Sequence, residues 1–242
     1  MKLDPKNPRS FTDAMAGDEV LRQRTKAWMD HVARYKYTYG FTWLGLPIIQ
    51  QPQDIVAIQE LIWRVKPDLI IETGIAHGGS LVLSASILEI LQGEGLVVGI
   101  DIDIREHNRQ AIEGHPLSKR IAMIKGSSTD LITVSQVQNI AQERKRGLVI
   151  LDSNHSHAHV LKELEIYSTF VKTGSYIIVC DTRIEDGAPE IFFGRPWGRG
   201  NNPKTAVWEF LKMNDRFVAD QEIENKLLIT ANPNGFLKCI KD

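Results

Sequence analysis

The stretch that decides the fold is residues 68–80, which read Asp-Leu-Ile-Ile-Glu-Thr-Gly-Ile-Ala-His-Gly-Gly-Ser. The apolar run at residues 69–71 is typical of a strand that is buried on both faces. Glu72 closes the run, small residues follow, and residues 80–91 have the apolar spacing of a helix. A strand, a glycine turn and a helix in this order predict the first unit of an open α/β sheet, where a ligand lies at the carboxyl end of the strand.

Two interpretations of the glycine turn compete. A dinucleotide fingerprint requires Gly-x-Gly-x-x-Gly, which residues 74–79 do not meet. The alternative is acid-x-Gly-x-(Gly/Ala)-x-Gly, which is filled by Glu72, Gly74, Ala76 and Gly78. This pattern resembles the first motif of class I methyltransferases that use S-adenosylmethionine (SAM). The resemblance implies that these residues contact SAM together with Ser80 at the start of the helix.

Composition limits the class of protein. The chain has 242 residues, of which 43% are hydrophobic and 24% are charged, enough for one sizeable α/β core. A formal net charge of −1 gives no reason to expect a nucleic acid or an anionic membrane as partner. The two cysteines, Cys180 and Cys239, provide no disulfide framework, and no apolar run approaches the ~20 residues of a membrane span. We therefore expect a cytoplasmic protein without membrane or nucleic-acid partners.

Strands and helices alternate through the central part of the chain. Five buried strands are predicted, at residues 69–71, 96–100, 121–124, 148–151 and 175–179. Polar residues follow each of them, which predicts a doubly wound, mostly parallel sheet of the Rossmann-like type with its site along the carboxyl edge. Short strands are also predicted at residues 217–219, 227–230 and 235–240, the last of them at the edge of the sheet.

The first 50 residues precede this sheet. Residues 1–10 are expected to form a flexible arm, and residues 12–37 to form one or two helices. An aromatic patch follows, made of Tyr35, Tyr37, Tyr39, Phe41 and Trp43. It is either a cover or subunit contact, or a wall of the substrate site. We divide the chain into a helical extension of residues 1–50, expected to contribute to a homo-oligomer contact, and a sheet domain of residues 51–242.

One long segment, residues 183–203, interrupts the alternation with four glycines and three prolines. A loop of this length in a compact domain is usually functional or disordered. We expect it to be a lid over the acceptor, with Arg195, Trp197 and Arg199 as substrate contacts.

Polar residues that end the second and third strands indicate a nucleoside site. Asp101 ends the second strand, where a carboxylate can accept two hydrogen bonds from a ribose diol. Ser127 and Ser128 end the third strand and are candidates for the lining of an adenine pocket. Serines are also common in turns for local reasons.

Two acids follow the fourth and fifth strands. Asp152 and Asp181 should lie side by side, and two such carboxylates repel unless they share a proton or a cation. Oxygen ligands without a thiolate pair favour Mg²⁺ over zinc. His155 and His159 have a spacing that can bind zinc from one helix face, but no third ligand stands at a companion spacing.

The most specific resemblance lies in the segments around these acids. Residues 151–164 read Leu-Asp-Ser-Asn-His-Ser-His-Ala-His-Val-Leu-Lys-Glu-Leu, residues 174–182 read Gly-Ser-Tyr-Ile-Ile-Val-Cys-Asp-Thr, and residues 228–237 read Leu-Ile-Thr-Ala-Asn-Pro-Asn-Gly-Phe-Leu. Over roughly residues 40–240, the chain resembles the cephalosporin hydroxylase / rhamnosyl O-methyltransferase family. The resemblance implies SAM and Mg²⁺ as cofactors. It also implies which residues contact each part of SAM, namely Glu72, Gly74 and Gly78 for the methionine, Asp101 for the ribose and Ser128 for the adenine. The metal would be bound by Asp152 and Asp181. Asp152 can face both the metal and SAM.

One position departs from the family pattern. The family usually has Glu-Asp-Thr after the fifth strand, whereas this chain has Cys180-Asp181-Thr182, so one carboxylate ligand is missing. Catechol-type methyltransferases carry their base three residues after the first metal aspartate. His155 stands at that offset from Asp152, and the ordinary pKa of histidine suits the role.

The sequence thus predicts a Mg²⁺-dependent O-methyltransferase that acts on a hydroxyl of a sugar or secondary metabolite, with His155 and Asp152 as catalytic residues. Two alternatives stay open. An iron and 2-oxoglutarate hydroxylase needs two histidines and one carboxylate, and by analogy such enzymes are β-barrels. A non-catalytic SAM-binding subunit is suggested by Cys180 alone.

Overall fold

The computed structural model describes residues 7–242, in which helices enclose a mixed β-sheet. In that part of the chain the strands are β1 (Thr42–Trp43), β2 (Leu46–Pro47), β3 (Leu69–Thr73), β4 (Leu96–Asp101), β5 (Ile121–Lys125), β6 (Gly147–Leu151), β7 (Tyr176–Val179), β8 (Phe217–Ala219) and β9 (Phe236–Cys239). The α-helices are α1 (Pro8–Ala16), α2 (Glu19–Ala33), α3 (Pro52–Val65), α4 (Gly79–Ile90), α5 (Glu106–Glu113), α6 (Leu131–Ala141), α7 (His157–Tyr167), α8 (Pro203–Met213) and α9 (Gln221–Leu227).

The central sheet has the strand order β5-β4-β3-β6-β7-β9-β8. Neighbouring strands from β5 to β7 are parallel, whereas β9 is antiparallel to both β7 and β8. The strand order reverses between β3 and β6, so the crevice at their carboxyl ends is the switch point at which open α/β sheets bind ligands. The predicted doubly wound, mostly parallel sheet is confirmed.

Helices cover both faces of the sheet because its inner strands are apolar on both sides. Every residue of β3 and β6 is buried, as expected for inner parallel strands. One face packs against α3, α4 and α9, and the other packs against α6, α7 and α8. At Gly99 a Cβ would come within 2.7 Å of the Leu81 side chain, so glycine allows the close approach of α4. The sheet is therefore a firm support for the loops at its carboxyl edge.

Two predictions near the carboxyl terminus are wrong. Residues 227–230, expected to be a strand, instead begin with the last residue of helix α9, whose first turn donates two backbone hydrogen bonds to the capping carboxylate of Asp220. Leu228 then turns the chain with a φ of 53°. Strand β9, expected at the edge, lies between β7 and β8 because Phe236 and Leu237 are both buried. The short strand β8 forms the edge.

Two elements, helix α5 and the hairpin of β1 and β2, have no sequence pattern that predicts them. Helix α5 is largely polar, with Asn108 and Ile112 as its buried residues, so it lacks an apolar stripe. The hairpin of β1 and β2 consists of two short strands, which carry too few residues for an alternating pattern. Both elements lie beside the glycine turn. A Cβ added at Gly78 would clash with the Ile112 side chain of α5.

The helical extension begins with α1. Helix α1 begins at Pro8, and the side chain of Asn7 caps it by accepting a hydrogen bond from Arg9 N, so the predicted arm of residues 1–10 is wrong from Pro8 onward. Residues 1–6 of that arm lie outside the described part. None of the helices within residues 7–242 is long and apolar enough to cross a membrane.

Several side-chain contacts join this extension to the sheet domain, among them those of Trp43 and Asp30. Trp43 Nε1 donates a hydrogen bond to Ser86 Oγ at 3.1 Å, and Arg183 forms an ion pair with Asp30 of α2. The hairpin and α2 are therefore fixed against the domain that carries the sheet.

The aromatic patch is partly packed and partly open. Tyr37 makes edge-on contacts with Trp28 and Phe41, with ring centroids 5.4 and 5.2 Å apart. Tyr35 and Tyr39 are 74% and 54% exposed. Part of the patch is therefore exposed, and its roles as a contact between subunits or as a wall of the substrate site stay predictions.

Candidate functional site

The glycine turn after β3 is shaped by a close approach of two chain segments. A Cβ at Gly74 would lie 2.1 Å from the backbone oxygen of Asp152, and Gly74 has a φ of 92°. Glycine is therefore required at this position. Ala76 and Gly78 also have positive φ values, 47° and 86°. The turn brings its backbone directly beside the residue that follows β6.

Glu72 is a buried acid with one free oxygen. Its Oε1 accepts a hydrogen bond from Ser80 Oγ at the start of α4. Its Oε2 is buried and has no hydrogen-bond partner among the described residues. Burial raises the pKa of Glu72 to about 7, and the bond from Ser80 opposes this shift. The free oxygen is suited to a ligand that donates hydrogen bonds or carries positive charge.

A small cavity of about 40 Å³ adjoins the turn. Gly74, Ser80 and Asp152 line it together with Gln50, which precedes α3. Gln50 is buried, and its Oε1 also has no hydrogen-bond partner in residues 7–242. The sequence does not predict a role for Gln50, because a single amide in a loop belongs to no motif.

Asp101 stands at the end of β4, as predicted, and braces the turn. Its Oδ2 accepts hydrogen bonds from Ile75 N at 2.8 Å and Ala76 N at 3.4 Å, and its Oδ1 accepts from Asp103 N at 2.9 Å. A carboxylate has about four lone-pair sites, so capacity for ribose hydroxyls remains. Asp103 is exposed, in agreement with a solvated loop acid.

The serines after β5 have different partners. Ser127 Oγ lies 3.1 Å from Thr129 Oγ1. Ser128 is buried, and its hydroxyl donates to Oε1 of the fully buried Glu163 at 2.5 Å. Their predicted contact with adenine stays a prediction.

Glu163 joins the loops after β5 and β6. Besides Ser128, the Ser153 hydroxyl donates to its Oε1 at 2.7 Å, and His159 Nε2 lies 3.1 and 3.2 Å from the two serine oxygens. Oε2 of Glu163 is buried without a hydrogen-bond partner among the described residues. The sequence does not predict this cluster, because the motif that contains Glu163 carries no sign that its side chain is buried.

Three groups that can bind a metal ion meet at the carboxyl edge. Ligand atoms of Asp152, His155 and Asp181 all lie within 4.8 Å of one another. His155 Nε2 is 3.2 Å from Asp181 Oδ2. The predicted juxtaposition of the two acids is therefore present, and the third member is the histidine proposed as base.

Neighbouring carboxylates add to the negative charge around Asp152. Burial raises the pKa of Asp152 well above its usual range. The charged groups that raise the pKa further are all carboxylates, namely Asp181, Glu72, Glu163 and Asp54. A bound cation would reverse this repulsion, which is the electrostatic condition for a metal site.

Cys180 stands where the family pattern has a carboxylate that this chain lacks. Its side chain is buried in the core beside α3 and α4. Burial, followed by the charges of Asp152 and Asp181, raises the pKa of the thiol well above its usual range. Cys180 is thus a neutral core residue, and the described cluster contains two carboxylates instead of three.

The alternative zinc site is not formed. His155 precedes α7 and turns toward Asp181, whereas His159 lies in α7 and contacts Ser128 and Ser153. The two rings therefore do not share a helix face.

The predicted lid brings one aromatic residue to the cluster. Trp197 packs edge-on against His155, with ring centroids 4.9 Å apart, and the Arg195 guanidinium lies 5.6 Å from the Trp197 ring centroid. Arg199 is directed elsewhere, since its side chain is 81% exposed and 3.9 Å from Glu185. Glu185 accepts hydrogen bonds from Gly200 N and from the Asn202 side chain, which anchors the loop. Motion of the lid stays a prediction.

The fold and the site together define a class of protein. A sheet with five parallel strands, a glycine turn after β3 and an acid at the end of β4 that contacts this turn are features of class I methyltransferases. The chain belongs to the Rhamnosyl O-methyltransferase/CmcI family, whose model matches residues 35–240. The family resemblance of the sequence is confirmed.

Individual relatives support this assignment. The rhamnosyl O-methyltransferase of Mycobacterium tuberculosis (strain ATCC 25618 / H37Rv) is 31% identical over 215 residues, covering 84% of this chain and 82% of the relative. That of Mycobacterium leprae (strain TN) is 26% identical over 210 residues, covering 84% and 87%. A solved structure of CmcI with magnesium and SAM is 19% identical, has a TM-score of 0.57, and covers 84% of this chain and 77% of that one.

The relatives and the solved structure differ in what they establish. The likeness to CmcI, at its low identity, establishes the fold. Family membership and the mycobacterial relatives confirm the predicted class of enzyme, an O-methyltransferase.

Proposed function

We propose that this chain transfers a methyl group from SAM to a hydroxyl of a sugar or secondary metabolite, with Mg²⁺ at Asp152 and Asp181. The observation that carries the proposal is the meeting of Asp152, His155 and Asp181 at the switch point, next to the glycine turn. Metal ligands, a base and a cofactor turn thus lie at one edge of one sheet.

The residues at the glycine turn fit SAM. The free Oε2 of Glu72 and the free Oε1 of Gln50 are acceptors for the methionine ammonium group. The turn allows a ligand to approach its backbone, and Asp101 stands where a ribose would lie. A cofactor whose sulfonium and ammonium groups are both cationic would favour the ionised forms of Glu72 and Asp152, whose pKa values are raised by burial.

The acidic cluster fits Mg²⁺. Carboxylate oxygens are the ligands that this ion prefers, and it usually keeps several waters as ligands. Two carboxylates at the edge of the sheet leave room for such waters and for the acceptor hydroxyl. Cys180, as a buried neutral thiol, adds no ligand.

The chain's own groups then align the acceptor and move its proton. When bound, SAM supplies the methyl group and Mg²⁺ lowers the pKa of a hydroxyl that it binds. The contact between His155 Nε2 and Asp181 places the imidazole proton on Nε2 and leaves Nδ1 free to accept the hydroxyl proton. Asp181 stabilises the imidazolium that forms, and the edge of Trp197 holds the ring in place. Alignment of the acceptor oxygen supplies most of the rate.

The acceptor class rests on the relatives. Two curated relatives are rhamnosyl O-methyltransferases. A cavity of about 820 Å³ lies beside the loop, lined by Arg183 and Glu185 of the loop and by Arg22 and Lys26 of α2, but Asp152, His155, Asp181 and Trp197 do not line it. This cavity is therefore separate from the cluster at which transfer is proposed.

The hydroxylase alternative has less support. It needs two histidines and one carboxylate, whereas the cluster within residues 7–242 has one histidine and two carboxylates. The sheet is also open, with β5 and β8 at its edges. The non-catalytic alternative differs from the proposal because it predicts SAM binding without methyl transfer.

Calorimetry and a methyl-transfer assay test the proposal together. We expect SAM to bind with or without Mg²⁺, and transfer to rhamnosides or related glycosides to stop in EDTA and return with Mg²⁺. Binding of SAM without transfer to any glycoside would favour the non-catalytic subunit. Full transfer in EDTA would remove the metal from the proposal.

A further inference from the structure

One family motif has no role in the proposed reaction. Residues 230–235 read Thr-Ala-Asn-Pro-Asn-Gly, and the structure places them against the end of β7. Four hydrogen bonds are donated by residues 179–183 and accepted by residues 230–235, namely Val179 N to Gly235 O (2.8 Å), Asp181 N to Asn232 Oδ1 (2.9 Å), Thr182 Oγ1 to Pro233 O (2.7 Å) and Arg183 N to Ala231 O (3.0 Å). The loop therefore fixes the path of the turn that contains Asp181.

Asp181 depends on this loop more than its neighbours do. It has φ 56° and ψ 24°, the left-handed conformation that residues with a Cβ rarely adopt. Its N–H is bound by the side chain of Asn232, whereas the other three donors bind backbone carbonyls. A substitution of Asn232 thus removes the bond to Asp181 and leaves the other three acceptors in place.

Asn232 is itself held in place through contacts with Asp54, a residue distant in sequence. Thr230 Oγ1 accepts a hydrogen bond from Asn232 N at 2.9 Å and donates one to Asp54 Oδ1. Ala231 N donates to Asp54 Oδ2 at 2.8 Å. Asp54 lies in the first turn of α3 and is 1% exposed. A continuous chain of contacts therefore runs from Asp54 through Thr230 and Asn232 to Asp181.

We propose that Asn232 is a positioning residue for Asp181, and that Asp54 holds Asn232 in place. Of the three clustered groups, Asp152 directly follows the inner strand β6 and its N–H is bonded to Thr73 O of β3. Asp181 instead sits in a left-handed turn outside the strands, so its carboxylate needs a separate support. The inference rests on the proposed metal role of Asp181.

The test uses Asn232→Ala in the full-length protein. Without the Asn232 acceptor, the Asp181 amide should exchange with solvent at least about tenfold faster, while the Val179 and Arg183 amides keep their rates. Calorimetric titration with Mg²⁺ should show about tenfold weaker binding, the equivalent of one lost hydrogen bond. Affinity for SAM in EDTA should stay within about twofold of the parent.

Two further variants separate positioning from general damage. Asn232→Asp keeps an oxygen acceptor for the Asp181 N–H and should restore slow exchange of that amide. Asn225→Ala removes an exposed amide of α9 that bonds Asp13, and it should change none of the three readouts. If Asn232→Ala does not fold, Asp54→Asn weakens the same chain one step earlier, and we expect smaller changes in the same direction.

The outcomes are distinguishable from failure of the proposed function. A parent protein that binds no Mg²⁺ would refute the metal role, whatever Asn232 does. Equal Mg²⁺ affinity in parent and Asn232→Ala would overturn the positioning role, as would unchanged exchange of the Asp181 amide. Equal losses of Mg²⁺ and SAM affinity would show a general structural defect instead.

Discussion

His155 Nε2 lies 3.2 Å from Asp181 Oδ2, although the two residues follow different strands, β6 and β7. The contact unites the two chemical roles of the site, because Asp181 is a proposed metal ligand and His155 the proposed base. An aspartate that orients a histidine also stabilises its protonated form.

The first prediction concerns His155. His155→Gln keeps a polar side chain but removes the proton acceptor, so kcat should fall about 10²- to 10⁴-fold. SAM affinity should change little, since no described contact joins His155 to the glycine turn. The matched control is His157→Gln, because His157 bonds Thr205 and Glu209 away from the cluster. Equal activity of parent and His155→Gln would assign the proton transfer to another group.

The second prediction concerns Asp101, which serves both the turn and the proposed ribose contact. Asp101→Ala removes the acceptor for Ile75 N as well as the charge, so it should lower both Tm and SAM affinity. Asp101→Asn keeps an oxygen acceptor for the turn. It should lose SAM affinity by about ten- to a hundredfold, or about 1.5–3 kcal/mol, with a smaller loss of Tm.

Calorimetry and thermal unfolding measure these two effects separately. Asp103→Ala is the control, since Asp103 is exposed. Unchanged SAM affinity in both Asp101 variants would place the ribose elsewhere.

The sequence was sufficient for the parallel strands of the sheet and for the backbone positions of the two clustered acids. Buried apolar runs and the glycine turn specify β3 to β7, and acids after parallel strands meet at one edge wherever such a sheet forms. Asp152 and Asp181 were found in this way. Element types failed where the apolar signal was weak, as in α5, or ambiguous over a short run, as at residues 227–230.

Side-chain partners distant in sequence were beyond prediction. Asp54 looked like a residue of a helix start, yet its carboxylate binds Thr230 and Ala231. Glu163 looked like a polar position of a helix, yet it is fully buried between two loops. Such contacts depend on how helices are placed across the sheet, and local patterns carry no information about that placement.

The third prediction is a pH dependence of stability caused by Asp54. Burial raises the pKa of Asp54 from 3.8 to about 7, against hydrogen bonds from Thr230 and Ala231 that lower it. Because the folded pKa lies above the unfolded one, Asp54 stabilises the fold fully below pH 3.8. This contribution is lost as the pH rises to about 7, a change of about 4 kcal/mol.

Urea unfolding of parent and Asp54→Asn between pH 4.5 and 8 isolates this contribution. Glu72, whose pKa is raised in the same direction, is present in both proteins and cancels in the difference. The free energy of unfolding of the parent should fall relative to the variant as the pH rises toward about 7. Parallel curves would show that Asp54 titrates at its ordinary pKa.

The fourth prediction concerns Glu163. Glu163→Ala removes the carboxylate that accepts hydrogen bonds from the hydroxyls of Ser128 and Ser153 and leaves them His159 Nε2 as a shared neighbour, so it should lower the free energy of unfolding by about 1–3 kcal/mol. Glu165→Ala on the same helix breaks a half-exposed pair with Lys162 and should change stability by less than about 1 kcal/mol. Urea unfolding of both variants makes the comparison. Similar losses for the two variants would contradict a buried cluster at Glu163.

The last prediction concerns Cys180, where this chain lacks the acid that the family usually has. Cys180→Glu adds a further carboxylate to a region where the charges of Asp181 and Glu72 already raise the pKa of Asp152. In EDTA the variant should therefore unfold at a lower temperature than the parent. With Mg²⁺ the added charge becomes a ligand, and ligand charge is a main determinant of affinity for hard cations. Mg²⁺ should then raise Tm more in Cys180→Glu than in the parent, since a ligand that binds the folded state stabilises it according to its affinity.

Cys180→Gln separates charge from size in this experiment. Glutamine has the shape of glutamate, so it should produce the same packing strain in the buried pocket of Cys180 without the charge. We expect its Tm to lie between those of parent and Cys180→Glu in EDTA, and to respond to Mg²⁺ no more than the parent does. Differential scanning calorimetry over a range of Mg²⁺ concentrations gives the comparison. If glutamate and glutamine respond equally to Mg²⁺, the residue before Asp181 does not reach the metal, and two carboxylates are the full acidic ligand set of this enzyme.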